Sequence, residues 1–349
     1  MKGRIIGTCI AAIGLVVGLS ACAQGGPSTA STEGGGAPDD CALPSQQQTV
    51  TLGINPGTQK LVTDVIKAQH LDTKYKLDVQ VKSFQNPPAS AQAAAQHAVN
   101  IAYGGLTTMA VARDKGSDVV FFGPFITTPK DGVFVKKDSP ITTLDQLKGK
   151  KIGSFSGTAS ATTAILNAVA SKTYGIDDLN NQAHIVVAPD PALFGLLDKG
   201  DIDAALVVDS STVKADLTGQ YRKILDLNEA YQKAFSENPI FVGLVTSDEF
   251  ASSHCGELKA FTRAQQDAIA YILSHDDVWD GYARDLGITD PGGSAALKDL
   301  SSEFEVKWTD AEISAAQTLL TSMIPILGEK DYIAKVPDGL FTTAYWDAQ

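Results

Sequence analysis

The side chains best suited to chemistry gather where apolar runs break into turns. Ser156-Gly157-Thr158-Ala159-Ser160 is the densest such place, and it opens a segment with Ala164, Ile165, Ala168 and Val169 at helical spacing. The first turn of a helix has unpaired N–H groups and a partial positive charge. Ser156, Gly157, Thr158 and Ser160 are therefore expected to cradle an anion or a polar group, a role compatible with capping the same helix. Asn55, Tyr103-Gly104 and Phe125 stand at the ends of other apolar runs, and Asp209 directly follows Ala204 to Val208. The spacing leaves two roles open for Asp209: reaching across a cleft, or capping the next helix. Phe155 and Phe241, with Tyr103 and Phe125, supply apolar faces.

Several chemistries are excluded by the same reading. Gly153-Ser154-Phe155-Ser156-Gly157 puts Phe155 where a nucleophile elbow needs serine. The five histidines, His70, His97, His184, His254 and His275, lack the spacing of a metal site, and no P-loop or dinucleotide fingerprint occurs. No catalytic residue, metal or cofactor is expected, so the chain reads as a binding protein and not an enzyme. The formal net charge of −12 argues against nucleic acid as a partner, because phosphate-backbone affinity rests on basic surface. Arg113, Arg222, Arg263 and Arg284 all lie away from the expected cleft loops, so a bidentate clamp on a carboxylate or sulfonate is not expected. With Asp209 and the aromatic residues, this favours a neutral, heteroaromatic or amine-bearing ligand over a simple inorganic anion.

The elements that must position these residues are α/β in pattern. Thr49 to Ile54 alternates polar and apolar, Asn55-Pro56-Gly57 turns, and Leu61, Val62, Val65 and Ile66 recur at helical spacing. Leu77 to Val81, Val99 to Tyr103 and Val119 to Phe122 repeat the strand signal, with an alanine-rich helix from Ala89 to Ala98 between them. A second unit follows, with strands at Lys151 to Phe155, His184 to Ala188 and Ala204 to Val208. Gly132 to Lys136 and Ile240 to Val245 bracket it as expected crossovers. Beyond them the chain reads as helical over Glu257 to Leu273, Asp276 to Leu286 and Asp310 to Ile326. Alternating strands and helices imply doubly wound sheets, whose ligand site lies outside the carboxyl ends of the strands.

The first residues carry a separate signal. Lys2 and Arg4 precede an apolar stretch from Ile5 to Leu19 that ends in Leu19-Ser20-Ala21-Cys22. The stretch is short for a membrane span of about 20 residues, and the last four residues resemble a bacterial lipobox, in which the cysteine becomes an acylated N-terminus. The Gly/Ser/Thr-rich segment after Cys22 reads as a tether. Outside the cytoplasm, Cys41 and Cys255 are expected to pair as a disulfide, with two buried thiols as the alternative.

Asp138-Ser139-Pro140-Ile141-Thr142-Thr143-Leu144-Asp145-Gln146-Leu147-Lys148-Gly149-Lys150-Lys151-Ile152-Gly153 resembles the middle of solute-binding proteins that serve ABC importers for nitrate, taurine, aliphatic sulfonates and thiamine precursors. Leu196-Leu197-Asp198-Lys199-Gly200-Asp201-Ile202-Asp203-Ala204-Ala205 is similar to that family's approach to a second-lobe strand, and Leu61 to Val81 resembles its first helix and second strand. The resemblance covers roughly residues 49 to 285. It implies a type II periplasmic-binding fold, with two α/β lobes joined by a two-segment hinge and a small molecule held between them. The expected division is a lipoprotein signal peptide over 1–21, an acylated tether over 22–47, a first lobe over 48–136 and 245–349, and a second over 137–244. The expected partners are an ABC permease, its ATPase, and the membrane through a lipid on Cys22, with a lipoprotein sensor that presents its ligand to a receptor, or an enzyme on the same fold, as the alternatives. A monomer on the outer face of the cell membrane is expected. Cys22→Ser should release the protein from membranes or stall its processing; membrane retention with an unmodified N-terminus, read by fractionation and mass spectrometry, would refute the anchor.

Overall fold

The computed structural model describes residues 41–346, apart from 128, 159, 236–239 and 329–331. The leader, Cys22 and most of the tether segment lie outside the described residues. Ten strands form two five-stranded sheets. They are β1 (Gln48–Ile54), β2 (Leu77–Ser83), β3 (Ile101–Gly105), β4 (Val119–Ile126), β5 (Gly132–Lys136), β6 (Lys151–Ser154), β7 (His184–Val187), β8 (Ala204–Val207), β9 (Tyr221–Asp226) and β10 (Val242–Ser247). The first sheet runs β2-β1-β3-β10-β4 and the second β7-β6-β8-β5-β9.

The two sheets share one plan. Three parallel strands form one side of each, and the fourth strand along is antiparallel to both its neighbours. Those odd strands, β10 and β5, are the ones by which the chain enters one sheet from the other. The edge strand β4 reads as an apolar run, and all eight of its residues are buried because the tail covers it, with bridges at Phe121↔Phe341 and Ile126↔Phe304.

One boundary needs correction. The expected first lobe extends to residue 136, with Gly132 to Lys136 as a crossover, but β5 pairs with β8 at Val133↔Leu206 and with β9 at Val135↔Arg222. The crossovers are therefore the segments before β5 and before β10. The sequence also hides β9, because Arg222 and Lys223 interrupt its apolar pattern and an edge strand is only partly covered.

The helices fall close to expectation: Thr58–Ala68, Pro87–Ala95, Ala161–Tyr174, Cys255–Ser274, Asp277–Asp285 and Asp310–Leu327. Cys255–Ser274 packs on Thr58–Ala68 and buries Leu258, Phe261, Ala268, Ile269 and Ile272. The chain after it flanks the first sheet. The Phe121 N–H donates to the Leu340 carbonyl (2.8 Å), the Glu305 N–H donates to the Phe125 carbonyl (2.9 Å), and the Trp346 ring lies over Gly123.

Cys41 and Cys255 form a disulfide across 214 residues of chain, fixing the first described residues to the start of the longest helix. Closing so long a loop restricts the unfolded chain more than the folded one. A Cys41→Ala, Cys255→Ala variant should be about 2–4 kcal/mol less stable in denaturant titration. An unchanged midpoint would show that the packing of Cys255–Ser274 alone holds that end.

Candidate functional site

The carboxyl ends of β1, β3, β6 and β8 face one another across a cavity of about 310 Å³. That volume is at the lower end for a small-molecule site. Where the sheets meet they almost touch: a Cβ built on Gly105 would lie 3.3 Å from the Cβ of Ala161.

Asn55, Tyr103, Phe155, Ser156, Ser160, Asp209 and Phe241 all line this cavity. Gly104, Phe125, Gly157 and Thr158 lie outside the lining, each for a local reason. Side chains alternate along β3, so Tyr103 and Gly105 point to the cleft, and a Cβ on Gly104 would run into Met109 and Val245. Phe125 is fully buried behind Tyr103, with ring centroids 4.4 Å apart. Gly157 has φ 67°, a left-handed conformation that turns the chain, and its carbonyl accepts from Thr163 Oγ1 (2.6 Å). Thr158, next along, is exposed.

Part of the expected cradle is spent on the helix itself. Ser160 is the N-cap and accepts from the Thr163 N–H (3.1 Å). The amino end of the other helix, Thr58–Ala68, is occupied by protein. The Thr58 N–H and Thr58 Oγ1 both donate to Asp209 Oδ2, at 2.8 and 2.9 Å. The Ser210 N–H donates to Asp209 Oδ1 at 2.5 Å. Asp209 thus does both things that the spacing left open. It caps its own helix, Ser210–Thr218, and crosses the cleft to cap a helix of the first sheet. It does so at φ 50°, a backbone conformation that costs a non-glycine residue roughly 1–3 kcal/mol.

Three more acids, which the sequence reading did not single out, line the cavity: Asp131, Asp190 and Glu303. Asp190 follows β7 after a short turn, so the strand-end rule applied to that strand would have found it. Asp131 sits in the crossover before β5. Glu303 comes from the tail, where no local signal marks it. Thr162 Oγ1 donates to Asp131 Oδ2 (3.0 Å), Ser211 Oγ donates to Asp190 Oδ2, and the Lys130 N–H donates to Glu303 Oε1 (2.5 Å). Lys214 is the only cationic side chain among the described lining residues.

Four carboxyls in so dry a place hold their protons tightly. Desolvation pushes Asp131 up to about 8 and Asp190 up to about 6, with the charge of Asp209 adding to both. Desolvation also raises Asp209, against the pull of the Thr58 donors, and raises Glu303 well above the usual carboxylate range, with Asp209 contributing again. Tyr103 is raised by burial, against a smaller opposing pull from Thr63.

A model of the family described as NMT1/THI5 like matches residues 73–278. The chain belongs to that family. Comparison with curated protein sequences returns no match. Among solved structures, the chain is similar to the alkanesulfonate-binding protein SsuA from Xanthomonas axonopodis pv. citri bound to MOPS. The TM-score is 0.69 at 15% identity, over 85% of this chain and 99% of that one. It is also similar to the periplasmic aliphatic sulphonate binding protein SsuA from Escherichia coli, at TM-score 0.66 and 18% identity over 86% and 100% of the two chains. A Candida albicans protein with the generic periplasmic binding protein fold matches at 0.68 and 13%, over 86% and 98%. At these identities the likeness is one of fold. This NMT1/THI5-like chain therefore has the two-lobed periplasmic-binding fold.

The raised acids fix the sign of a pH effect. A carboxyl with a higher pKa folded than unfolded leaves the folded state with more bound protons, so its stability is lost as pH rises through the folded value. With no ligand added, the melting temperature should fall from about pH 5 to about pH 8, as Asp190 and then Asp131 are forced to ionise. Asp131→Asn should flatten the upper part of that fall. Calorimetry showing stability that rises over the same range would contradict this account of the site.

Proposed function

We propose that the protein is an extracytoplasmic solute-binding protein, which closes two lobes on a small organic molecule and delivers it to an ABC importer. The observation that carries this reading is the cavity between facing strand ends of two sheets joined by two crossing segments. Such a joint lets few residues change dihedrals while the lobes move as bodies, and closure offers a membrane partner a shape that reports occupancy. The lobes meet the hinge at the crossovers before β5 and before β10. Membership of the NMT1/THI5-like family and the likeness to proteins described as sulfonate-binding support a solute as the cargo.

The finer parts of the reading come from the sequence. A lipid on Cys22 anchors the chain to the outer face of the cell membrane, the segment to about residue 47 tethers it, and it works as a monomer with a permease and its ATPase. The role is binding without turnover.

A bound solute stabilises the folded state by mass action and favours the closed lobes. Solutes found by native mass spectrometry of the purified protein should raise its melting temperature and leave the protein chemically unchanged as they are themselves left unchanged. They should also shrink its X-ray scattering radius. Stabilisation at an unchanged radius would argue against hinge closure, and product formation on incubation would replace binding with catalysis.

A further inference from the structure

We infer that the cleft is built for an organic cation that donates N–H bonds, held by Asp190 and Asn55 against an apolar wall formed by Tyr103, Phe155 and Phe241. This rests on the solute-binding reading and narrows the class of solute.

The argument starts from which atoms remain free. Asn55 is 3% exposed and lines the cavity; its N–H donates to Gln59 Oε1 (2.8 Å) and its Nδ2 turns to the same atom (3.5 Å). That leaves Asn55 Oδ1 buried with no partner. Asp190 is in the same position. Oδ2 is taken by Ser211, and Oδ1 is buried and unpartnered. Both free atoms only accept. A buried acceptor left without a donor costs about 1–3 kcal/mol, so the complementary ligand is one that brings donors.

Charge points the same way. Asp131, Asp190, Asp209 and Glu303 line the cavity with Lys214 as the only cationic side chain among the described lining residues. A bound anion would enter this field against the carboxyls, and of the two helix amino ends at the cavity the one at Thr58 is already occupied by Asp209. A cation would let the same carboxyls ionise. The lining is otherwise mostly apolar in area and includes the rings of Tyr103, Phe155 and Phe241, which suits a body with an apolar ring.

Three probes with one ring and different head groups test this: benzamidinium, benzamide and benzenesulfonate, titrated into the mature chain by calorimetry near neutral pH. Benzamidinium should bind in preference to both others. Its binding should also release protons, seen as a buffer-dependent heat. The titratable groups lining the cavity are Asp131, Asp190, Asp209, Glu303 and Lys214, with Tyr282 beside Asp209 and Lys130 beside Glu303, and near neutral pH the protons come from Asp131, pushed up to about 8. Asp190→Asn, checked for an intact melt, should weaken benzamidinium by about ten- to a hundredfold. The proton-release measurement needs no variant and holds the test if that one fails to fold. Preferred binding of benzenesulfonate, or proton uptake on binding any probe, overturns the cation assignment and leaves solute binding standing. No binding by any of the three also overturns the assignment, and solute binding is then decided by the scattering measurement alone.

Discussion

One carboxylate sets the relation between the two halves of this protein. Asp209 belongs to the second sheet's side of the cleft, yet Oδ2 is the hydrogen-bond acceptor for the first turn of Thr58–Ala68 on the other side. A helix amino end is where these folds can receive an anion, through free amides and the helix dipole. Here the protein supplies that anion itself. The contact forces a left-handed backbone at Asp209, and it leaves room at Gly57 only for a residue without a Cβ, since Gly57 packs against the same carboxyl at φ 98°.

The chemistry of the cleft follows from that contact. Whatever charge Asp209 carries makes each further carboxyl nearby harder to ionise, so Asp131, Asp190 and Glu303 all shift upward partly on its account, after desolvation. Donors along the rim hold some of their oxygens, and Asp190 Oδ1 is left buried without a partner. The relatives described as sulfonate-binding share the fold with this chain at 15% and 18% identity, and that leaves the lining free to differ.

Much of this was legible in the residues. Strand ends such as Asn55, Tyr103 and Asp209 are marked by an apolar run followed by a turn, and that mark is local. Gly104 and Phe125 carry the same mark but face away, because a one-residue step along a strand reverses the side chain and a ring at a strand end can pack inward as easily as outward. Thr158 resembles a ligand hydroxyl in the sequence and stands in solvent, since a left-handed turn at Gly157 redirects the chain just before it. Glu303 had no signal at all. It reaches the hinge through bonds at Lys130 and Thr127, made by a segment far along the chain, and only the fold brings these together.

The strand orders also bear on how the chain can be assembled as it emerges. All five strands of the second sheet, β5 to β9, lie in one unbroken stretch from Gly132 to Asp226, so that half is complete before the first sheet can be. The first sheet has a vacancy in its middle until the end, because β10 inserts between β3 and β4, which bond to each other nowhere. Until Val242–Ser247 arrives, β3 and β4 each present an open edge of apolar strand. The half made first is thus the half that must wait, with two sticky edges, for a strand made after its neighbour has closed. Such an order rewards keeping the chain unfolded until all of it has left the ribosome.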